Sequence, residues 1–232
     1  MRITVIEHEA GAGLGHLADW LGPICDVVRP YQGEPVPERA ADGLIVLGGA
    51  AAAWEDERSP WQPATRALLR RAVEEGTPTL GICLGAQLLT MALGGTVERG
   101  GNGLEVGACE VVALPAAASD RLLSGVPARA VAVQYHQDAM TRLPAGAVPL
   151  MTGDRYPNQA YRVGERAWAV QFHPEATPEI FTSWTAESDL EAAEDLNAAV
   201  KAAGPALVAT WRPVAEAFAQ VVAQAAEASR PA

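Results

Sequence analysis

Cysteine is scarce in this chain: three among 232 residues, odd in number and far apart at Cys25, Cys83 and Cys109. That pattern excludes a disulfide framework and a zinc site, and it fits a reducing compartment where a reactive thiol stays free. Basic residues are few as well. Lys and Arg total 17 against 28 Asp and Glu, for a net charge of −11. No run of Lys or Arg offers a local exception, so a nucleic-acid-binding surface is not expected. Long apolar runs are missing too. The best candidates break at Gly or Pro before they reach membrane-spanning length, so no membrane segment is expected. The opening MRITVIEHEA enters a strand pattern directly and lacks a signal-peptide layout, which points to a cytoplasmic protein. No His/Cys/Asp cluster has metal-ligand spacing, so neither a metal nor another cofactor is expected. Histidine occurs at only four positions.

What is present is a chain that is 49% hydrophobic and 19% charged, enough for one sizeable core. Its organising stretch is Thr79–Gln87, TLGICLGAQ. Gly81-Ile82-Cys83-Leu84-Gly85 has the form glycine, any residue, nucleophile, any residue, glycine. In a nucleophile elbow the chain turns sharply from strand into helix. The nucleophile's backbone is strained, so its neighbours must have almost no side chain. The helix that follows aims its N-terminus at the sulfur and favours a thiolate. Cys83 is therefore a candidate nucleophile; the competing reading is a small buried cysteine in a strand–helix turn.

The first half alternates strand and helix. Arg2–Glu7, Asp26–Arg29, Asp42–Leu47 and Thr79–Ile82 read as strands. Leu14–Leu21 reads as a short helix. A second helix runs from Ser59-Pro60, with Ser59 as its cap, to about Glu75. The helix after Cys83 stops at Gly94-Gly95. This alternation predicts an α/β fold with a mostly parallel, doubly wound (flavodoxin-like) sheet covered by helices on both faces. Such sheets place their chemistry beyond the C-terminal strand ends, where Gly48-Gly49 and Cys83 both lie. Gly11–Gly15 follows a strand but fits neither a Walker sequence nor the dinucleotide fingerprint.

The second half reads as partly antiparallel, with runs at Thr96–Arg99, Glu105–Leu114, Ala130–Tyr135, Val148–Thr152, Gln159–Val163 and Ala167–Phe172. Three helices follow, Pro178–Trp184, Glu187–Ala203 and roughly Leu207–Ala228. A single domain over 1–232 is expected, with 186–232 a helical C-terminal extension. That extension either packs on the domain's outside or forms a docking surface.

A thiol nucleophile needs a base, a group that orients the base, and donors for the developing oxyanion. His173 ends the apolar strand AWAVQF, and Pro174 forces it into an extended conformation. Glu175 then points alongside it and can fix the imidazole tautomer. The alternative is a surface His-Pro-Glu turn. The Leu84 and Gly49 N–H groups are placed to form an oxyanion hole. His136 with Asp138 is weighed as a second acid/base pair, with a substrate-contact or structural role preferred. His8 and Glu9 either line the pocket mouth or lie in a solvent-exposed loop, the latter preferred. His16 receives no role, and Cys25 and Cys109 read as core.

GICLGAQ followed by VQFHPE resembles the class I (triad-type) glutamine amidotransferases, in particular stand-alone single-domain members. The resemblance spans about residues 1–185 and takes in LIVLGG, VQYHQD and NQAYRVG. It implies that Cys83 attacks a γ-glutamyl amide, with His173 as acid/base and Glu175 as its orienter. A γ-glutamyl thioester forms, ammonia leaves and water follows. It further implies that Gln87 holds the substrate's amino-acid end, with groups near Tyr135 and His136 at its α-carboxylate. Two departures stand out: Ala50 replaces a usual proline after the glycines, and VQYHQD has Tyr and Gln where Ser and Gly are usual.

Two variants of the activity follow. One is a glutaminase that feeds ammonia to a separate synthase subunit. The other is a stand-alone γ-glutamyl peptidase or hydrolase acting on a small γ-glutamyl compound. A non-catalytic regulatory or binding module on the same fold is the third reading; such a module would be expected to lose Cys, His or Glu. Another kind of α/β cysteine enzyme commonly carries its partner histidine directly after the cysteine, and here that residue is Leu84.

Overall fold

The computed structural model describes residues 1–228. Strands β1 (Ile3–Ile6), β2 (Cys25–Val28), β3 (Gly43–Val46) and β4 (Thr79–Ile82) lie side by side in parallel, in the order β2-β1-β3-β4. β1, β3 and β4 are buried on both faces, which is why they read as unbroken apolar runs. β11 (Ala167–Val170) joins in parallel beside β4, although it comes from the far end of the chain. Beyond it the sheet continues antiparallel through β10 (Ala160–Val163), β9 (Val148–Gly153), β6 (Glu105–Ala113) and β7 (Arg129–His136), nine strands in all. β5 (Thr96–Arg99) and β8 (Asp138–Arg142) form a separate antiparallel ribbon.

Period-two alternation divides the core between the two faces. On one face Ile3, Val5, Ile45 and Ile82 pack toward α1 (His16–Leu21), α4 (Pro178–Ala186) and α5 (Ala193–Ala228). On the other, Ile6, Leu44 and Val46 pack toward α2 (Gln62–Glu74) and α3 (Leu84–Ala92). The sheet is therefore wound on both sides. Among the described residues no helix is long and apolar enough to cross a membrane.

Four local expectations need correction. The first helix begins at His16, two residues after Leu14. Ser59 does not cap the next helix, which starts at Gln62. Ser59 is spent in a preceding turn, where its carbonyl accepts from the Gln62 N–H, and the buried Gln62 side chain donates to the Ala52 carbonyl. β8 was not foreseen; its few apolar residues pair along β5 and carry no long run of their own. The two expected tail helices are one 36-residue helix, α5, with Pro205 and Pro213 inside it. A helical proline removes one ladder bond. Here burial of Val200, Leu207, Trp211, Phe218 and Val222 along one face outweighs that loss. α5 lies over β6 and β7 and contacts α1 and α4. It also reaches β3: a Cβ on Gly43 would lie 2.7 Å from Val222 Cγ2. Residues 229–232 of the expected extension lie outside the described residues.

Candidate active site

The C-terminal ends of β1, β3, β4 and β11 open on one edge of the sheet. They deliver Glu7–Glu9, Leu47–Gly49, Cys83 and Gln171–His173 to one place. Cys83 is the only non-glycine among the described residues with positive φ, at φ 49° and ψ −109°. Its glycine neighbours are a steric requirement. A Cβ on Gly81 would lie 2.6 Å from the Gly85 carbonyl oxygen, and one on Gly85 would overlap the Val46 carbonyl. The bend is tied on both sides. The Cys83 N–H donates to Val170 O at 2.8 Å, and the Gly85 N–H to Leu47 O at 3.1 Å. These bonds hold a left-handed residue that an isolated chain would avoid.

His173 is anchored by its own N–H, which donates to Val133 O of β7 at 2.8 Å. Its Nδ1–H donates to Glu175 Oε1 at 2.7 Å, and both side chains are buried. The ring also packs against Trp184, with ring centroids 4.7 Å apart and the planes tilted by 56°. Gly48 lies beneath the thiol and the imidazole together: a Cβ there would sit 2.9 Å from His173 Cε1 and 3.5 Å from Cys83 Cβ. With Nδ1 taken by Glu175, Nε2 is the nitrogen left for Cys83, whose negative charge acts on the ring. Burial opposes the imidazolium. The charges of Glu175 and Cys83, and hydrogen bonds to both, overcome that and push His173 up to about 10.

The glycine-rich loop after β1 has a mechanical use. Gly15 has φ 48°, and a Cβ on it would collide with the Glu175 carbonyl, which also accepts from the His16 N–H at 2.8 Å. The loop is a socket for the backbone of Glu175.

A cleft of about 330 Å³ opens above these groups, and Cys83, His173, Gly49, Gln87, Tyr135 and His136 line it. Of the other two expected site residues, Glu175 stands buried against His173. Leu84 contributes the first N–H of α3, which has no intrahelical acceptor. The Leu84 side chain is buried and turns toward Gly49: a Cβ on Gly49 would be 3.1 Å from Leu84 Cδ2. Gln87 spends both amide hydrogens inside the protein, on Asp138 O at 3.1 Å and Gln171 Oε1 at 3.2 Å. Tyr135 and Trp184, with ring centroids 5.9 Å apart, form an aromatic wall of the cleft.

His136 does not pair with the Asp138 carboxylate. Its Nε2 lies 2.9 Å from Glu105 Oε2, and its Nδ1–H donates to the Asp138 backbone carbonyl at 2.9 Å. The β6–β7 register sets this by placing Glu105 opposite His136. The Asp138 carboxylate pairs with Arg99 at 2.9 Å instead. His8 is buried and not part of an exposed loop. Its Nδ1 accepts from the Trp61 Nε1–H at 2.9 Å, and burial lowers it to about 4. Glu9 lines the cleft and accepts the Ala50 N–H at 3.2 Å. It thus engages the one N–H that a proline at position 50 would lack. Cys25 and Cys109 are half-buried and not core residues as expected: Cys25 packs against the margin of the core, and Cys109 donates its S–H to the Val106 carbonyl at 3.6 Å. Sequence reasoning missed Gly48 beneath the imidazole, Trp184 against it, and Gln171, whose Nε2–H donates to Cys83 Sγ at 3.6 Å. The Gly48-Gly49 pair and the QFHPE stretch did contain a signal for two of them.

A family model for glutamine amidotransferase class-I matches residues 25–188. The chain belongs to that family. This amidotransferase is 33% identical over 143 residues to a GMP synthase [glutamine-hydrolyzing] of Lactobacillus delbrueckii subsp. bulgaricus, a match covering 61% of this chain and 26% of the relative. It is 34% identical over 160 residues to the enzyme of the same name from Wolinella succinogenes, covering 66% and 29%. The chain thus spans about a quarter of the length of these curated relatives. Similarity to solved structures runs nearly end to end. A glutamine amidotransferase from Thermotoga maritima aligns with TM-score 0.81 and 25% identity, over 94% of this chain and 97% of that one. A glutamine amido transferase from Methylobacillus flagellatus aligns with TM-score 0.83 and 26% identity, over 97% and 94%. α5 lies beyond the family match, and at coverages of 94% and 97% most of it falls within these structural alignments.

Proposed function

We propose that this amidotransferase hydrolyses the side-chain amide of glutamine and releases ammonia, with Cys83 as nucleophile, His173 as acid/base and Glu175 as its orienter. One observation carries the reading. Cys83 is held at positive φ in the wall of a cleft that His173 also lines, and Glu175 occupies one nitrogen of that imidazole and leaves the other free. The thiolate attacks the amide carbon, and negative charge develops on the carbonyl oxygen. The Leu84 N–H, at the start of α3, and the Gly49 N–H receive that charge. His173 keeps its proton through neutral pH and passes it to the departing nitrogen as the C–N bond breaks. Water then attacks the γ-glutamyl thioester while His173 takes its proton. The sulfur leaves with its electron pair, and glutamate is released. Gln87 lines the cleft with its nitrogen committed inside the protein, so its oxygen is the atom that would accept from the substrate's ammonium group, with backbone groups near Tyr135 and His136 at the carboxylate.

The destination of the ammonia rests on the relatives. The matched GMP synthases are about four times the matched length, so a separate synthase subunit that accepts ammonia is the partner we propose. The Tyr135–Trp184 wall favours a second reading, a stand-alone γ-glutamyl hydrolase whose substrate carries an amine larger than ammonia. Ammonia release from glutamine, set beside hydrolysis of a panel of γ-glutamyl amides, decides between them. Turnover of glutamine that vanishes in Cys83→Ala supports the first reading. Turnover of a γ-glutamyl amide with none on glutamine supports the second. Full activity in Cys83→Ala defeats both.

A further inference from the structure

A backbone carbonyl can only accept a hydrogen bond, and that fact orients two buried amides in sequence. The Asp138 carbonyl lies 3.1 Å from Gln87 Nε2, so the nitrogen end of Gln87 must face it. The same nitrogen lies 3.2 Å from the Gln171 amide, which must then present its oxygen. Gln171 is left with its N–H₂ group toward Cys83 Sγ, 3.6 Å away. Both glutamines are buried, Gln171 at 1% exposure and Gln87 at 3%. Packing alone does not hold Gln171, because a cavity of about 460 Å³ borders it, lined also by Met140, Tyr156 and Asn158. The bonds to Gln87 and Cys83 therefore fix the amide.

We propose that Gln171 is a further catalytic residue of this site. Its amide N–H holds the negative charge of the Cys83 sulfur in the resting enzyme and receives it again when the thioester is cut. In that second step the C–O bond to water forms and the C–S bond breaks. The electron pair returns to sulfur, and the proton of water goes to His173. A donor aimed at the sulfur stabilises the leaving thiolate and keeps it aligned for the next attack. The catalytic half of this proposal rests on the amide-hydrolase reading above; the contact with the sulfur does not.

Gln171→Met keeps length and volume and removes the donor. The measurement is the rate at which iodoacetamide alkylates Cys83, followed by peptide mass, in the whole protein without substrate. At neutral pH the rate is expected to fall about 10- to 100-fold, the worth of a hydrogen bond to a charged group. The deficit should shrink at alkaline pH. Turnover of glutamine should lose a similar factor in kcat with KM nearly unchanged. Should Gln171→Met not fold, Gln87→Met tests the same chain from one step back. It frees the Gln171 amide to turn, and a smaller slowing of alkylation is expected. A folded variant alkylated at the wild-type rate overturns the proposal. Wild-type protein that fails to hydrolyse glutamine, while Gln171→Met still slows alkylation, overturns the amide-hydrolase reading and leaves the sulfur contact standing.

Discussion

Two buried histidines line the same cleft, and each has a carboxylate at hydrogen-bond distance. His173 lies 2.7 Å from Glu175, and His136 lies 2.9 Å from Glu105. By pairing alone they are equivalent. They differ in the second ring nitrogen. In His136 it is committed to the Asp138 carbonyl, so neither nitrogen is left to exchange a proton with a substrate. In His173 it has no such partner, and the charge of Cys83 acts on the ring. A histidine–carboxylate pair is therefore no mark of acid/base chemistry by itself. The vacant nitrogen, and what stands before it, make the difference.

The comparison breaks most completely at the His173 side. Cys83→Ala and His173→Ala are each expected to lower kcat by on the order of 10⁶, because the members of such a unit act together. Release of ammonia from glutamine measures this directly. Glu175→Gln should cost less, about 10³- to 10⁴-fold, since it leaves the ring in place but unsettles the tautomer. Gly48→Ala comes next. Its methyl group would press on His173 Cε1, and a displacement of that kind costs about 10²-fold in kcat with the fold intact. At the His136 side the order of effects reverses. Glu105→Gln should leave kcat within about tenfold. It should nonetheless cost about 3 kcal/mol of stability, seen as a lower melting temperature, because a buried charged partner is removed. The smallest effect sharpens the comparison without touching activity. In Cys83→Ala the titration of His173, followed by NMR, should move down from about 10, because one of the two negative charges that raise it is gone.

Much of this was legible before the fold. The elbow could be read because sterics dictate its glycines: Gly81 and Gly85 touch one another's backbone and that of β3. His173 and Glu175 could be read because Pro174 fixes their local geometry within three residues. The partner of His136 could not. Glu105 is 31 residues away, and only the register of β6 against β7 brings it opposite. Asp138 was the nearer carboxylate in sequence and the wrong one. His8 looked like loop for a similar reason, since its burial depends on Trp61 from the start of α2. Gly204-Pro205 carries a local signal to stop a helix, and only the apolar face that α5 lays on the sheet overrides it. Local geometry was readable, and long-range register was not.

α5 also bears on the order in which the molecule can become itself. It is the last element of the described fold, yet Trp211 within it donates to the Val131 carbonyl of β7 at 2.9 Å and packs on Phe172 at 4.6 Å. Phe172 adjoins His173, and β7 anchors the His173 backbone at Val133. The thiol side of the site rests on β3 and α3, which are made early, and on Val170 and Gln171, which precede α5 in the chain. The imidazole side stays without its outer wall until the final helix has been synthesised. On the function proposed above, a chain growing from the ribosome carries Cys83 well before the wall behind His173 is in place.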